Sequence, residues 1–181
     1  MKKITYLFIL SVLLINCSGN DDSNNNNNQD PSDTFVRATI DGVSFNATGV
    51  SLFNTINAQL IENETIFGLI IVGQVADESL NFRSISIGIG GTDFNEVISG
   101  LEVQSPNNQF TVEGGYFFGD ASSSRSSVSD EDEFIKITFI DKANQIISGE
   151  FRFLAIDDDD DSLMYNVTEG EFSNVSYTVI D

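Results

Sequence analysis

The stretch EFIKITFIDKANQIISGEFRFLAI, residues 133–156, decides the fold. Ile135, Ile137 and Phe139 fall on one side of it, and Lys136 and Thr138 on the other. After the short link KANQ (142–145) the pattern returns, with Ile147, Phe151 and Phe153 set against Ser148, Glu150 and Arg152. A side-chain period of two belongs to a strand with one buried face. Two such runs across a short polar link form a hairpin. The alternation predicts that Ile135, Ile137 and Phe139 all point into a core.

The same pattern extends in both directions. FVRATIDGVSFNAT (35–48) sets Asp41-Gly42 between two β-rich runs, the signal for a tight hairpin. TIFGLIIVGQV (65–75) is nearly all apolar and predicts a strand covered on both faces. FRSISIGIGG (82–91) and QFTVEGGYFFG (109–119) alternate, and GEFSNVSYTVI (170–180) reads as a closing strand. The glycines of GIGG (88–91) predict a bulge or bend. No segment of residues 35–181 carries a sustained helical stripe with caps. The expected fold is all-β: an antiparallel β-sandwich of roughly nine or ten strands, with a closed antiparallel barrel as the alternative.

Composition limits the chemistry. The 181 residues include 15 Phe, one Cys, no His and no Trp, and the formal charge is −20. A core is affordable over 147 residues from Phe35 to Asp181, as one domain. A surface this acidic repels nucleic acid, whose binding depends on Lys and Arg contacts. A single cysteine forms no internal disulfide. Without histidine there is no usual base for a serine nucleophile, and ASSSRSSVS (121–129) lacks the Gly-x-Ser-x-Gly elbow. Zinc and iron sites lack their ordinary ligands. Among so many carboxylates, a glycosidase-like pair has no distinguishing context. The expectation is a non-enzymatic protein with no catalytic residues.

The first residues direct the chain elsewhere. Met1-Lys2-Lys3 precedes an apolar run from Ile4 to Ile15, the pattern of a secretory signal peptide and too short to span a bilayer. SGNDDSNNNNNQDPSDT (18–34) has no apolar periodicity and reads as a flexible, disordered tether. With Cys17 it has 18 residues, and its root-mean-square reach is about 20–25 Å. Three segments follow: a cleaved signal helix (1–16), the tether (17–34) and the β-domain (35–181). Removing residues 1–16 takes away two lysines and no acid, so the charge falls to −22.

LLINCSGNDD (13–22) resembles the signal of bacterial lipoproteins, in which the cysteine after a short apolar stretch becomes the acylated first residue. Asn16 stands where that family usually has Gly, Ala or Ser. The acidic run after Cys17 resembles the surface-export signal of Bacteroidota-type lipoproteins. ATIDGVSFNA, IKITFID, ISGEFRF and TEGEFSNV resemble, in that order, segments of an uncharacterised family of such lipoproteins. The resemblance implies lipidation at Cys17 and an outer-membrane, cell-surface location, and implies no catalytic residue. Two or more acyl chains would hold the domain stably, which one chain does not.

Three further features raise ligand questions. In DDDDDSLMYNVTE (157–169), a count from Asp158 places Asp160, Ser162, Asn166 and Glu169 at oxygen-bearing positions of a twelve-residue calcium loop. Leu163 stands where that loop needs Gly, and the flanks read as strands, so the alternative is a solvated acidic turn. A calcium-stabilised adhesion module is therefore a third reading. Tyr116, Tyr165 and Tyr177 are candidate stacking residues for a glycan, which makes a carbohydrate-binding accessory protein of a glycan-uptake system the second. Asp161-Ser162-Leu163 resembles the O-glycosylation motif of Bacteroidota-type secreted proteins, with Ser162 as acceptor. The first reading is a monomeric binding or structural module, attached to the membrane by lipid, with a glycan or protein partner and no cofactor beyond Ca2+.

Overall fold

A computed structural model describes residues 33–49, 51–76, 81–119, 124–160 and 162–180, with backbone alone over 124–132. The strands are β1 (Phe35–Ile40), β2 (Val43–Ala47), β3 (Asn54–Glu62), β4 (Phe67–Ala76), β5 (Phe82–Gly91) and β6 (Glu102–Gln104). They continue as β7 (Thr111–Gly119), β8 (Ser124–Asp141), β9 (Ile146–Asp157), β10 (Met164–Ser176) and β11 (Thr178–Ile180). A 3-10 turn, Phe94–Glu96, precedes β6. Cys17 and the whole signal and tether lie outside the described residues.

Hydrogen bonding links the strands in the order β11-β3-β4-β5-β7-β8-β9-β10-β1-β2, with β6 also on β8. The path folds over at β8, whose first residues pair with β7 while Phe134–Lys136 pair with β6. Its register against β9 shifts three times, between Ser129 and Glu131, Glu131 and Phe134, and Ile137 and Phe139. Such bulges bend a strand enough for it to pass from one layer to the next. The end strands β11 and β2 do not pair, so the closed barrel falls and the architecture is a β-sandwich.

The layers touch closely. A Cβ added to Gly73 of β4 would lie 2.8 Å from the Val36 Cβ of β1, and one on Gly114 of β7 would lie 2.3 Å from the Phe153 ring of β9. Val36, Phe45, Leu69, Ile85, Ile87, Ile135, Ile137, Ile147, Phe153 and Phe172 fill the space between them. The β1–β2 hairpin turns at Asp41 (φ 48°) and Gly42 (φ 81°), as its sequence predicts.

Several expectations are corrected. Phe139 is 47% exposed, because the bulge after Ile137 sets it opposite outward Ser148 and turns Ile140 toward Ile147 instead. The GIGG glycines form no bulge, and β5 stays in register with β4 and β7 throughout. Gly90 and Gly91 instead leave room for Thr111 and for the rings of Phe67 and Phe110. Along β4, Phe67, Leu69 and Ile71 are buried, but Ile70 and Val72 on the other face are only half-buried, since among the described residues no third layer covers them. The closing segment breaks at Tyr177, whose N–H donates to the Gln145 carbonyl. Beyond it β11 crosses to the other layer and pairs parallel to β3.

The strands run between two poles. Thr34 enters at one, where its hydroxyl donates to the Asn174 carbonyl near the β8–β9 turn. The ends of β4, β7 and β9 and the β1–β2 turn lie at the other, where the Asp41 N–H donates to Asn166 O.

Candidate functional site

The outward face of the layer containing β6, β8, β9, β10 and β1 carries a row of charge. Cross-strand register aligns Glu102, Lys136, Glu150, Glu171 and Arg37. Lys136 Nζ lies 2.8 Å from Glu102 Oε1, and this hydrogen bond and charge push the lysine pKa above its ordinary value. At the other end the Arg37 guanidinium grips the Glu171 carboxylate, with Nε at 2.9 Å. The row is interrupted where Glu150 and Glu171 face one another, a like-charged pair that is unfavourable in direct opposition.

Beside this pair runs a second row, Gln104, Phe134 and Arg152. The Arg152 guanidinium lies over the Phe134 ring, 4.2 Å from its centroid, and donates to Gln104 Oε1 at 3.4 Å. Facing Arg152 is a bulge in β10, where the register shifts between Val167 and Gly170 and Glu169 takes a positive φ of 51°. The Glu169 carboxylate accepts the Thr39 hydroxyl at 3.0 Å. Together these side chains border an open cleft of about 360 Å³. Glu150, Arg152, Glu169 and Glu171 form its rim and Phe134 one wall. Phe151 and Gly170, buried residues facing the core, supply backbone as its floor.

The candidate tyrosines do not form a stacking surface. Tyr116 is 7% exposed and Tyr177 2%, so both belong to the core and their proposed stacking role is overturned. Strand alternation turns Tyr116 inward with Val112 and Gly114. Tyr177 is caught where the chain crosses between layers, against the Phe94 ring at 6.0 Å. Burial raises the phenol pKa of both. Tyr165 is half-buried, with its ring 5.3 Å from Tyr116 and 5.2 Å from Phe118.

The acidic tract closes on itself. Asp157 is 1% exposed, and its Oδ1 accepts the N–H groups of Asp159 and Asp160 at 3.1 and 3.2 Å. Asp160 Oδ1 accepts the Ser162 N–H at 3.0 Å and its hydroxyl at 2.6 Å. Ser162 and Asp158 are exposed. Asn166 and Glu169 sit on β10, not in the turn. At about 3.3 Å per residue the strand carries Glu169 roughly 16 Å beyond Met164, so these positions do not close into a calcium loop. Among the described residues no group of three or more His, Cys, Asp or Glu side chains could hold a metal ion.

Sequence alternation marks Glu150 and Arg152 as outward, but the cleft itself goes unseen there. Its shape depends on register across β8, β9 and β10 and on the bulge at Glu169, and neither has a local signature. The chain matches no known protein family, no curated protein and no solved structure.

Proposed function

We propose that this protein is a non-enzymatic binding module, held on the outer membrane by an acylated Cys17 and displayed at the cell surface as a monomer. The observation that carries the reading is the polarity of the sandwich. The chain enters at one pole through Thr34, directly after the Asn- and Asp-rich segment and the apolar run from Ile4 to Ile15. The opposite pole and the outward sheet face then stand clear of the bilayer. With a charge this negative, the domain gains nothing from anionic lipid, and attachment falls to the acyl chains. The non-enzymatic part of the reading is supported by the absence of histidine from the sequence. It is also supported by the cleft carboxylate of Glu171 being engaged with Arg37 on the surface.

Labelling cells with a clickable fatty acid tests the anchor. Label is expected in the wild-type protein and not in a Cys17→Ala variant. Label retained by the variant overturns the reading.

A further inference from the structure

The cleft between Glu150, Arg152, Glu169 and Glu171 has a chemistry that specifies a ligand class. We propose that it is a subsite for one or two rings of a neutral glycan, with the carboxylates accepting sugar hydroxyls and Arg152 donating to ring or hydroxyl oxygens. This deepens the binding-module reading and rests on it, while moving glycan recognition away from the tyrosines.

Charge comes first. Among the described side chains, the acids of this face, Glu102, Glu150, Glu169 and Glu171, are accompanied by Lys136, Arg37 and Arg152, a far more even mix than in the chain as a whole. Here Glu171 is already paired, yet an ionised carboxylate has about four lone-pair sites and one partner leaves most of them free. Arg152 likewise has five N–H donors and gives one to Gln104. A rim rich in acceptors with one strong donor matches vicinal hydroxyls, which donate and accept at once.

Geometry comes second. The bulge re-aims Glu169 to the rim that Arg152 faces, at a positive φ that a non-glycine residue adopts at some cost. Stacking on Phe134 fixes the Arg152 guanidinium before any ligand arrives. The volume of about 360 Å³ lies in the range of small-molecule sites. Because the cleft is open, it suits internal units of a chain lying across the strands better than an enclosed small molecule.

The test uses the full-length protein purified in detergent. It is presented with malto-, cello-, xylo- and mannohexaose, and with spermine as the cationic comparison, by calorimetry. At least one hexaose is expected to bind, with Kd on the order of 0.1–1 mM for so open a site. Arg152→Gln and Glu150→Gln are each expected to weaken it about tenfold or more, as a lost charge-assisted hydrogen bond should, with melting temperatures unchanged. If either variant melts early, Glu169→Gln takes its place. Failure of every hexaose to bind overturns the proposal, as does binding that all three variants leave intact. Spermine binding that competes with the hexaose and vanishes at about 0.5 M NaCl overturns it in favour of a cation site. None of these outcomes depends on acylation, so failure here leaves the anchor standing and failure of the anchor leaves the cleft standing.

Discussion

At the scale of single residues, the sandwich is set by positions where nothing larger than hydrogen fits. Gly114 is buried on β7 with the Phe153 ring directly over it, at 2.3 Å from an added Cβ. Gly88 on the neighbouring strand looks similar in sequence, but its nearest atom, Leu69 O, would be 3.6 Å away, an ordinary contact. The two therefore separate packing from backbone entropy. Gly114→Ala is expected to cost about 1–3 kcal/mol by forcing the ring to shift, and Gly88→Ala to be neutral or slightly stabilising. Urea midpoints measure both, and equal midpoints would show that the layers are not packed as closely as Gly114 implies. Nothing in GGYFFG announces which of its glycines is indispensable, because the reason is a ring on another strand. The tyrosines fail as sequence candidates for the same cause. Tyr116 alternates correctly with its neighbours, and alternation alone does not say that its side is the inside.

At the scale of strands, most of the fold was legible where alternation was unbroken. The β8–β9 pair and the Asp41-Gly42 hairpin follow from period and turn chemistry. Polar residues blur the period in β3 (NTINAQLIE) and in the first residues of β10, which follow the aspartates, so alternation does not announce these elements. Phe139 was misplaced because a bulge resets the parity without changing the composition. Edges are the other property that register reveals. In the two-residue hairpin, Ile40 and Val43 form the closing pair, so the Ser44 N–H and C=O point to the open edge of β2. Arg83 from the opposite layer donates to that carbonyl at 3.4 Å, lies 6.0 Å over Phe45 and bonds Tyr116. A charged side chain covering an edge prevents pairing with another chain. Arg83→Ala is expected to lower stability by about 1–3 kcal/mol and to produce dimers or larger species in light scattering. A variant that stays monomeric with an unchanged melting temperature would remove this role.

At the scale of the whole molecule, acidity is the dominant unresolved force. Few bases offset the acids, and the described ion pairs Arg37–Glu171 and Lys136–Glu102 lie on one outward face. Self-repulsion therefore opposes the compact state and is weakened by any salt, since the screening length is about 10 Å at 0.1 M. Exposed ion pairs lose strength in salt too, but such solvent-screened pairs contribute little to stability, so repulsion prevails. The melting temperature is expected to rise between about 20 and about 200 mM NaCl. This argument also separates general screening from a calcium site. The Asp157 and Asp160 carboxylates are taken up by the N–H groups of Asp159, Asp160 and Ser162, and Asn166 and Glu169 lie up the strand. CaCl2 and MgCl2 at matched concentration should therefore raise the melting temperature equally. A rise specific to calcium, saturating at micromolar levels, would mean that the turn opens and that Asp158 and Asp160 gather around an ion after all.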